Sequence, residues 1–129
     1  MITKKIIVDQ SYYNDKVKRL GEVIRAGGLV AFPTETVYGL GGNALDKEAA
    51  KKIYMAKGRP SDNPLIVHVA DISEVSTYVK RILSLEKRLM EAFWPGPLTI
   101  VFPKKDIVPM ATSGGLRTIA IRCPCLLYT

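Results

Sequence analysis

The sequence predicts a single α/β or α+β domain, and three observations support this class. Short apolar runs alternate with stretches of helical periodicity, a pattern typical of strands and helices packed in layers. The chain has 129 residues, 47% of them hydrophobic, which is enough to bury a core without a disulfide framework or a structural metal. No internal repeat or low-complexity tract interrupts the pattern. The apolar runs are far shorter than the about 18 residues of a membrane span, and the N-terminus lacks a signal-peptide pattern, so we expect a cytoplasmic protein.

The N-terminal elements are predicted from apolar spacing and from glycines. A first strand is expected at residues 5–8, followed by a helix at 15–25 with Asn14 as its N-cap. The glycine pair at 27–28 ends this helix, because glycine tolerates the left-handed conformation common at helix C-termini. A second strand then occupies 29–32.

The remaining elements follow a polar loop at residues 33–42, and loops of this kind often carry functional sites. The next helix is predicted at 47–55, with Ala50, Ile53 and Tyr54 facing inward. The other predicted elements are a strand at 65–69, helices at 72–81 and 85–93, and strands at 98–102 and 118–122.

The charge balance favours an anionic partner. Nineteen Lys and Arg against 12 Asp and Glu give a net charge of +7, which suits nucleotides, phosphates or RNA and is equally compatible with a solvated basic surface. Cys123 and Cys125 have no second ligand cluster at zinc spacing, so we expect free thiols and no metal.

Standard catalytic and phosphate-binding motifs are missing from the sequence. It contains neither a Gly-x4-Gly-Lys-Ser/Thr loop nor a Gly-x-Gly-x-x-Gly turn. The single histidine, His68, has no Ser or Cys nucleophile at a recognisable motif spacing, so a hydrolase triad is not predicted.

Two cations precede a proline-rich turn. Arg59 and Asn63 each stand before a proline, which disfavours helical backbone at both residues. If residues 57–59 are extended, the side chains of Lys57 and Arg59 point the same way and can clamp a polyphosphate. The alternative is that both are exposed loop charges.

The predicted strand at 65–69 alternates between two faces. Leu65, Val67 and Val69 share one face, and Ile66 and His68 share the other. His68 is then either a satisfied edge side chain or a functional group at the end of the strand.

The predicted strand at 118–122 places an arginine among apolar residues. Thr118, Ala120 and Arg122 share one face, opposite Ile119 and Ile121. Because an unpaired buried charge costs several kcal/mol, Arg122 needs an anionic partner. A protein carboxylate and a substrate carboxylate are equally compatible with the sequence.

Four segments, in this order along the chain, resemble the threonylcarbamoyl-AMP synthase (YrdC-like) family. They are PTETVYGLG at 33–41, KGRPSDNPLIVH at 57–68, WPGPLT at 94–99 and SGGLRTIAIRCP at 113–124. The resemblance implies an α/β fold, with a twisted mixed sheet flanked by helices and a large open cavity. It also implies synthesis of threonylcarbamoyl-AMP and pyrophosphate from L-threonine, bicarbonate and ATP, with Mg²⁺ accompanying the ATP.

The resemblance implies roles for seven residues. Thr36, His68 and Arg122 match contacts to L-threonine, and Arg122 matches the arginine that pairs with its carboxylate. The residues that match the ATP site are Lys57, Arg59, Asn63 and Thr118. Pro60 and Pro64 are then expected to hold the ATP-binding loop extended.

The family's product supplies the threonylcarbamoyl group of a modified adenosine in tRNA. The implied partners are therefore the three substrates, the tRNA threonylcarbamoyl transferase machinery and RNA. Two other functions stay open, a basic RNA-binding module and the related domain of the carbamoyltransferases of hydrogenase maturation. The sequence lacks an RNA-recognition motif, and it lacks the acylphosphatase region and Cys-x2-Cys pairs of the latter.

The C-terminal end departs from the family pattern. After the arginine strand the family continues with a His-Pro pair and a later Ser-x-Asn motif, and neither follows Arg122 in this sequence. We therefore expect residues 1–124 to be a C-terminally incomplete catalytic domain and 125–129 to be a non-native tail. On this interpretation the 129-residue chain is an inactive fragment of the synthase.

Overall fold

The computed structural model describes residues 2–7 and 13–125, and it forms a mixed α/β arrangement. The elements are α1 (Tyr13–Arg25), β1 (Val30–Phe32), β2 (Gly39–Gly41), α2 (Lys47–Lys57), β3 (Ile66–His68), a 3₁₀ turn (Ile72–Glu74) leading into α3 (Val75–Tyr78), α4 (Ser84–Phe93), β4 (Thr99–Pro103) and β5 (Thr118–Arg122).

Two sheets organise these elements. Strands β1 and β2 form an antiparallel hairpin, and the second sheet has the order β3-β5-β4. Strand β5 lies parallel to β3 and antiparallel to β4, so the sheet is mixed, as predicted. Because β5 is central, its side chains define both the core face and the open face of this sheet.

The hydrophobic core lies on one face of the three-stranded sheet. Its buried members are Val67, Val69, Val75, Val79, Met90, Trp94, Ile100, Phe102, Val108, Ile119, Ile121 and Cys123. On the opposite face Ile66 and Val101 stay about half exposed, at 46% and 57%. The predicted alternation of 65–69 and 118–122 is therefore confirmed, and Arg122 lies on the open face.

The N-terminal predictions are partly wrong. Residues 5–7 form no strand, because nothing among the described residues pairs with them, and Val8 lies outside the described residues. Helix α1 begins at Tyr13, so Asn14 lies within its first turn and is not the N-cap. At the other end, Gly27 adopts φ 81°, as the predicted helix stop requires.

Three other boundaries differ from prediction for reasons of pairing and capping. The loop 33–42 contains a strand, β2, that exists through its pairing with β1. Helix α2 continues to Lys57 because Gly58 caps it. The helical pattern at 72–81 ends at Tyr78, because Val79 pairs with Lys104 in an isolated bridge. The helix predicted at 85–93 begins one residue earlier, at Ser84, and ends at Phe93 as predicted, whereas the strand predicted at 98–102 is displaced by one residue.

Candidate functional site

His68 and Arg122 stand side by side at the ends of two parallel strands. The β3–β5 register pairs these two residues directly, and both side chains lie on the open face of the sheet. The loop that follows β1 brings Glu35 and Thr36 to the same place. Three residues that the sequence singled out, Thr36, His68 and Arg122, therefore form one cluster.

Arg122 is held by main-chain and side-chain acceptors. Its Nε donates to the Gly96 carbonyl oxygen at 3.1 Å, and its Nη2 forms a short ion pair with Glu35 Oε1. The guanidinium also makes longer contacts to Thr36 Oγ1, at 3.4 and 3.5 Å. The Arg122 and Glu35 side chains are only 11% and 18% exposed. Of the two open alternatives for its anionic partner, the structure supplies the protein carboxylate.

Glu35 is a member of this cluster that the sequence analysis missed. Burial, the largest single influence, raises the pKa of its carboxyl, but the hydrogen bond from Arg122, backbone hydrogen bonds and the charge of Arg122 together lower that pKa below its ordinary value. Backbone groups of Glu35 and Cys125 assist this lowering. The second oxygen, Oε2, is buried without a hydrogen-bond partner among the described residues. The unmatched charge of Arg122 was the one signal that pointed to such a residue.

Thr34 organises the loop that carries Glu35 and Thr36. Its buried hydroxyl donates to the Val37 carbonyl at 2.6 Å and accepts the backbone N–H groups of Thr36 and Val37 at 3.3 Å. The Thr34 proton is thus used, so the 3.2 Å contact between the two hydroxyls requires Thr36 to donate. The Thr36 oxygen is therefore left as an acceptor.

His68 presents a second acceptor. Its Nδ1 lies 3.0 Å from the Ile66 carbonyl oxygen, and because a carbonyl only accepts, this bond requires the Nδ1–H tautomer. Although more than a third of the residue is exposed, desolvation of the ring lowers the pKa of His68, and the charge of Arg122 lowers it further. The imidazole is therefore neutral near pH 7, with an acceptor lone pair on Nε2.

Phe32 supports the His68 ring from the hairpin. The two rings meet edge to face, with centroids 5.8 Å apart and planes at 77°. Phe32 lies close over β2, since a Cβ on Gly39 or Gly41 would come within 3.0 or 2.7 Å of its ring. The glycines of the segment 33–41 thus leave room for the side chain that contacts His68.

The predicted extended clamp at residues 57–59 is wrong. Lys57 is the last residue of α2 and is exposed, and Gly58 is left-handed at φ 59° and ψ 32°. The Gly58 N–H bonds back to the Met55 carbonyl, so capping of the helix overrides the extended geometry. The strand alternation that would align Lys57 with Arg59 does not apply.

Arg59 is nevertheless held in place. Its backbone N–H donates to the Tyr54 carbonyl at 3.0 Å, and its Nη2 donates to the Pro64 carbonyl at 3.2 Å. Its Nε is buried without a hydrogen-bond partner in the described part of the chain. The carbonyl of Asn63 accepts from the Tyr54 hydroxyl at 3.0 Å, which ties this loop to α2.

A cavity of about 440 Å³ adjoins this loop. Its lining residues are Lys51, Tyr54, Met55, Gly58, Arg59 and Ser61. Lys51, whose Nζ bonds Glu48 at 2.9 Å, was not singled out by the sequence.

Thr118 lies exposed at the start of β5, and no hydrogen bond within the described ranges joins it to Arg59 or Asn63.

A glycine connects the 59–64 loop with the segment that precedes β5. Gly114 has φ 62°, and a Cβ there would lie 2.9 Å from the Asp62 carbonyl oxygen and 3.0 Å from Pro64 N. The Leu65 N–H donates to the Thr112 carbonyl at 3.1 Å beside this contact. The segment before β5 therefore packs directly against the loop that carries Arg59 and Asn63.

The described residues contain neither a metal-binding cluster nor a membrane-spanning helix. Over residues 2–7 and 13–125, no three His, Cys, Asp or Glu side chains gather as a metal site, and no helix is both long and apolar enough to cross a bilayer. Both cysteines are free, and burial raises the pKa of the Cys123 thiol.

A family model with the name Sua5/YciO/YrdC and the description "Telomere recombination" matches residues 22–126. The chain belongs to this family. The Sua5/YciO/YrdC match includes the cluster of Glu35, Thr36, His68 and Arg122 and the 59–64 loop, and it confirms the resemblance found in the four sequence segments.

Curated relatives and a solved structure agree with this membership. The chain is similar to threonylcarbamoyl-AMP synthases of Pyrococcus abyssi, at 53% identity over 84% of this chain, and of Bacillus subtilis, at 49% over 92%. The crystal structure of P. abyssi Sua5 complexed with L-threonine superposes with a TM-score of 0.82, at 53% identity over 84% of this chain and 32% of that chain. This chain spans about a third of those two relatives, 32% and 35% of their lengths.

Proposed function

We propose that this protein acts in the synthesis of threonylcarbamoyl-AMP and pyrophosphate from L-threonine, bicarbonate and ATP. The observation that carries the proposal is the convergence of Thr36, His68 and Arg122 into one cluster, although they come from three separate segments. The supporting similarity is the 53% identity to a threonylcarbamoyl-AMP synthase. Residues 1–124 are proposed as the part of the catalytic domain present in this chain.

The cluster suits a hydroxylated amino acid. Arg122 Nη1 contacts Thr36 Oγ1 at 3.4 Å with one N–H and retains a second, which is available to a substrate carboxylate. Thr36 Oγ1 and His68 Nε2 are acceptors, which match the hydroxyl hydrogen of threonine. In this proposal Arg122 fixes one end of threonine and the two acceptors fix the other.

ATP is proposed to bind along the loop after α2. The buried Nε of Arg59, without a partner among the described residues, suits a phosphate oxygen. Lys57 adds a mobile point charge from the end of α2, and Asn63 and Thr118 complete the proposed set. Because the described residues supply no carboxylate cluster for a resident Mg²⁺, the ion would enter as part of the Mg–ATP substrate.

The chemistry requires positioning more than acid–base catalysis. The threonine amine and bicarbonate form a carbamate with loss of water, one carbamate oxygen attacks the α-phosphorus, and pyrophosphate leaves. Cations that neutralise the departing pyrophosphate and side chains that align the carbamate provide most of the acceleration in such a transfer. Arg59 and Lys57 have the first role in this proposal, and Arg122, Thr36 and His68 have the second.

The product is proposed to pass to the tRNA threonylcarbamoyl transferase machinery in the cytoplasm. The net charge of +7 favours contact with an anionic partner such as tRNA. The same charge supports the second candidate function, a basic RNA-binding module.

The decisive experiment measures threonine-dependent ATP–pyrophosphate exchange in the presence of bicarbonate. We would assay the 129-residue chain beside a chimera that continues after Pro124 with the corresponding segment of the P. abyssi relative. Exchange that requires both threonine and bicarbonate in either protein supports the synthase. RNA binding that weakens steeply with salt, without exchange in either protein, supports the RNA-binding module.

A further inference from the structure

We propose that Thr112 is a positioning residue of the nucleotide site, because it fastens α2 and the 59–64 loop at both ends and so sets where Arg59 stands relative to Thr118. This inference rests on the proposed function, since Arg59 and Thr118 are proposed ATP contacts. Thr112 lies just before the last of the four family-like segments, which begins at Ser113, so the resemblance gives it no role.

Thr112 makes two hydrogen bonds to residues that are distant in the sequence. Its Oγ1 donates to the Ala44 carbonyl oxygen, 68 positions earlier, at 2.7 Å, and its own carbonyl accepts from the Leu65 N–H at 3.1 Å. Ala44 precedes α2, and Leu65 follows the 59–64 loop. Thr112 therefore holds the chain immediately before and immediately after the unit formed by α2 and this loop.

The loop is braced within this unit. The Tyr54 hydroxyl donates to the Asn63 carbonyl at 3.0 Å, and the Arg59 N–H donates to the Tyr54 carbonyl at 3.0 Å. Arg59 Nη2 donates to the Pro64 carbonyl at 3.2 Å. Because these bonds join the loop to α2 and to itself, a shift at either fastened end moves Arg59 as well.

The same residue connects this unit with the central strand of the larger sheet. The segment that contains Thr112 leads into β5, whose first residue is Thr118. At 2% exposure Thr112 is almost completely buried, so water does not replace its hydroxyl bond to Ala44. The two proposed sides of the ATP site, Arg59 and Thr118, are thus held at a fixed separation through Thr112.

Ser113 offers a matched comparison. It is 1% exposed, and its hydroxyl bonds to the carbonyls of Leu116 at 2.7 Å and Met110 at 3.3 Å. These bonds stay within the segment before β5, whereas the hydroxyl bond of Thr112 crosses to the start of α2. Removing either hydroxyl costs buried hydrogen bonding, but only the change at Thr112 releases the unit that carries Arg59.

The test is calorimetric titration of the 129-residue chain with Mg–ATP. Thr112→Val keeps the shape of the side chain and removes the hydroxyl, and it should weaken Mg–ATP binding by about fivefold or more, because a displaced binding group loses its ligand contact. Thr112→Ser restores the hydroxyl and should bind within about twofold of the wild-type chain. Ser113→Ala should also stay within about twofold.

A double-mutant cycle with Arg59→Ala separates positioning from a general structural role. If Thr112 acts through Arg59, Thr112→Val should change Mg–ATP binding by less than about twofold once Arg59 is replaced. Effects of the two changes that simply add would overturn the proposal, as would an equal loss in Ser113→Ala.

If Thr112→Val does not fold, Thr112→Cys takes its place under the same criteria, because a thiol is a weaker donor. Unchanged Mg–ATP binding in the folded variant would overturn the role of Thr112 alone. A wild-type chain that binds no Mg–ATP would overturn the proposed ATP site itself, a distinct result.

Discussion

Phe32 occupies the space that any side chain on Gly41 would need. A Cβ at residue 41 would lie 2.7 Å from the Phe32 ring, and the same ring meets His68 edge to face at 5.8 Å. The small hairpin of β1 and β2 therefore determines where the His68 ring sits at the end of β3. A backbone feature of the segment 33–41 thus acts on a side chain from a different segment.

The first prediction is that Gly41→Ala moves Phe32 and disturbs His68. Because the added methyl must displace an aromatic ring, the free energy of unfolding should fall by about 1–3 kcal/mol. The His68 ring resonances, monitored by NMR, should shift with it. Gly21→Ala is the control, since its Cβ meets only the end of Arg25 at 3.8 Å in α1. That change should raise stability by roughly 0.5–1 kcal/mol, and equal effects of the two variants would contradict the packing argument.

The second prediction compares two adjacent glycines with positive φ. A Cβ on Gly114 would approach backbone atoms of Asp62 and Pro64 at 2.9–3.0 Å, whereas a Cβ on Gly115 meets nothing within 4 Å. Both alanine variants incur left-handed strain of about 1–2 kcal/mol, but only Gly114→Ala also pushes the 59–64 loop. Gly114→Ala should be the less stable variant in urea unfolding and should weaken ATP binding. If Gly115→Ala weakens ATP binding as much, the contact with the loop is irrelevant.

The third prediction concerns pH. The folded chain holds the pKa of His68 below 6.5, so the unfolded chain binds a proton more readily. The resulting stability is fully present above pH 6.5 and is lost as pH falls through the folded pKa. His68→Asn should flatten this dependence in urea unfolding between the ordinary histidine value, 6.5, and the ordinary carboxyl value, 4.5. The chain has one histidine, so an unchanged slope in the variant would refute the assignment.

The fourth prediction separates the two cations of the proposed ATP site. Arg59 is half-buried with its Nε free of hydrogen bonds in the described chain, whereas Lys57 is exposed at the end of α2. Arg59→Ala should therefore remove about 2–4 kcal/mol of transition-state stabilisation and lower the exchange rate accordingly. Lys57→Ala should lower the rate clearly less. Rates of ATP–pyrophosphate exchange would be measured in whichever protein shows exchange, the 129-residue chain or the chimera that continues after Pro124. If Arg59→Ala lowers the exchange rate by less than about threefold, Arg59 is not part of the ATP site.

Local periodicity determined the faces of the site strands. The alternation in 118–122 buries Ile119 and Ile121 and leaves Arg122 on the open face, because the period of two is a property of any paired strand. The need of Arg122 for an anion was equally predictable from the cost of an unpaired charge. The identity of that anion was not, because Glu35 lies 87 positions earlier and only the contact of the loop between β1 and β2 with Arg122 brings it there.

The end of α2 and the existence of strand β2 could not be predicted from local sequence preferences, because those preferences conflicted with each other or with the tertiary structure. The proline after Arg59 predicted extended backbone, but Gly58 supplied a left-handed cap that carried α2 on to Lys57, and the cap prevailed. Strand β2 has the sequence Gly-Leu-Gly, whose intrinsic preference for a strand is poor. It becomes a strand because β1 provides backbone hydrogen-bond partners and because its glycines leave room for the Phe32 ring. Sequence alone therefore determined which residue types face the site, whereas the tertiary structure decided which of them meet, since contacts between distant segments depend on packing that no local pattern records.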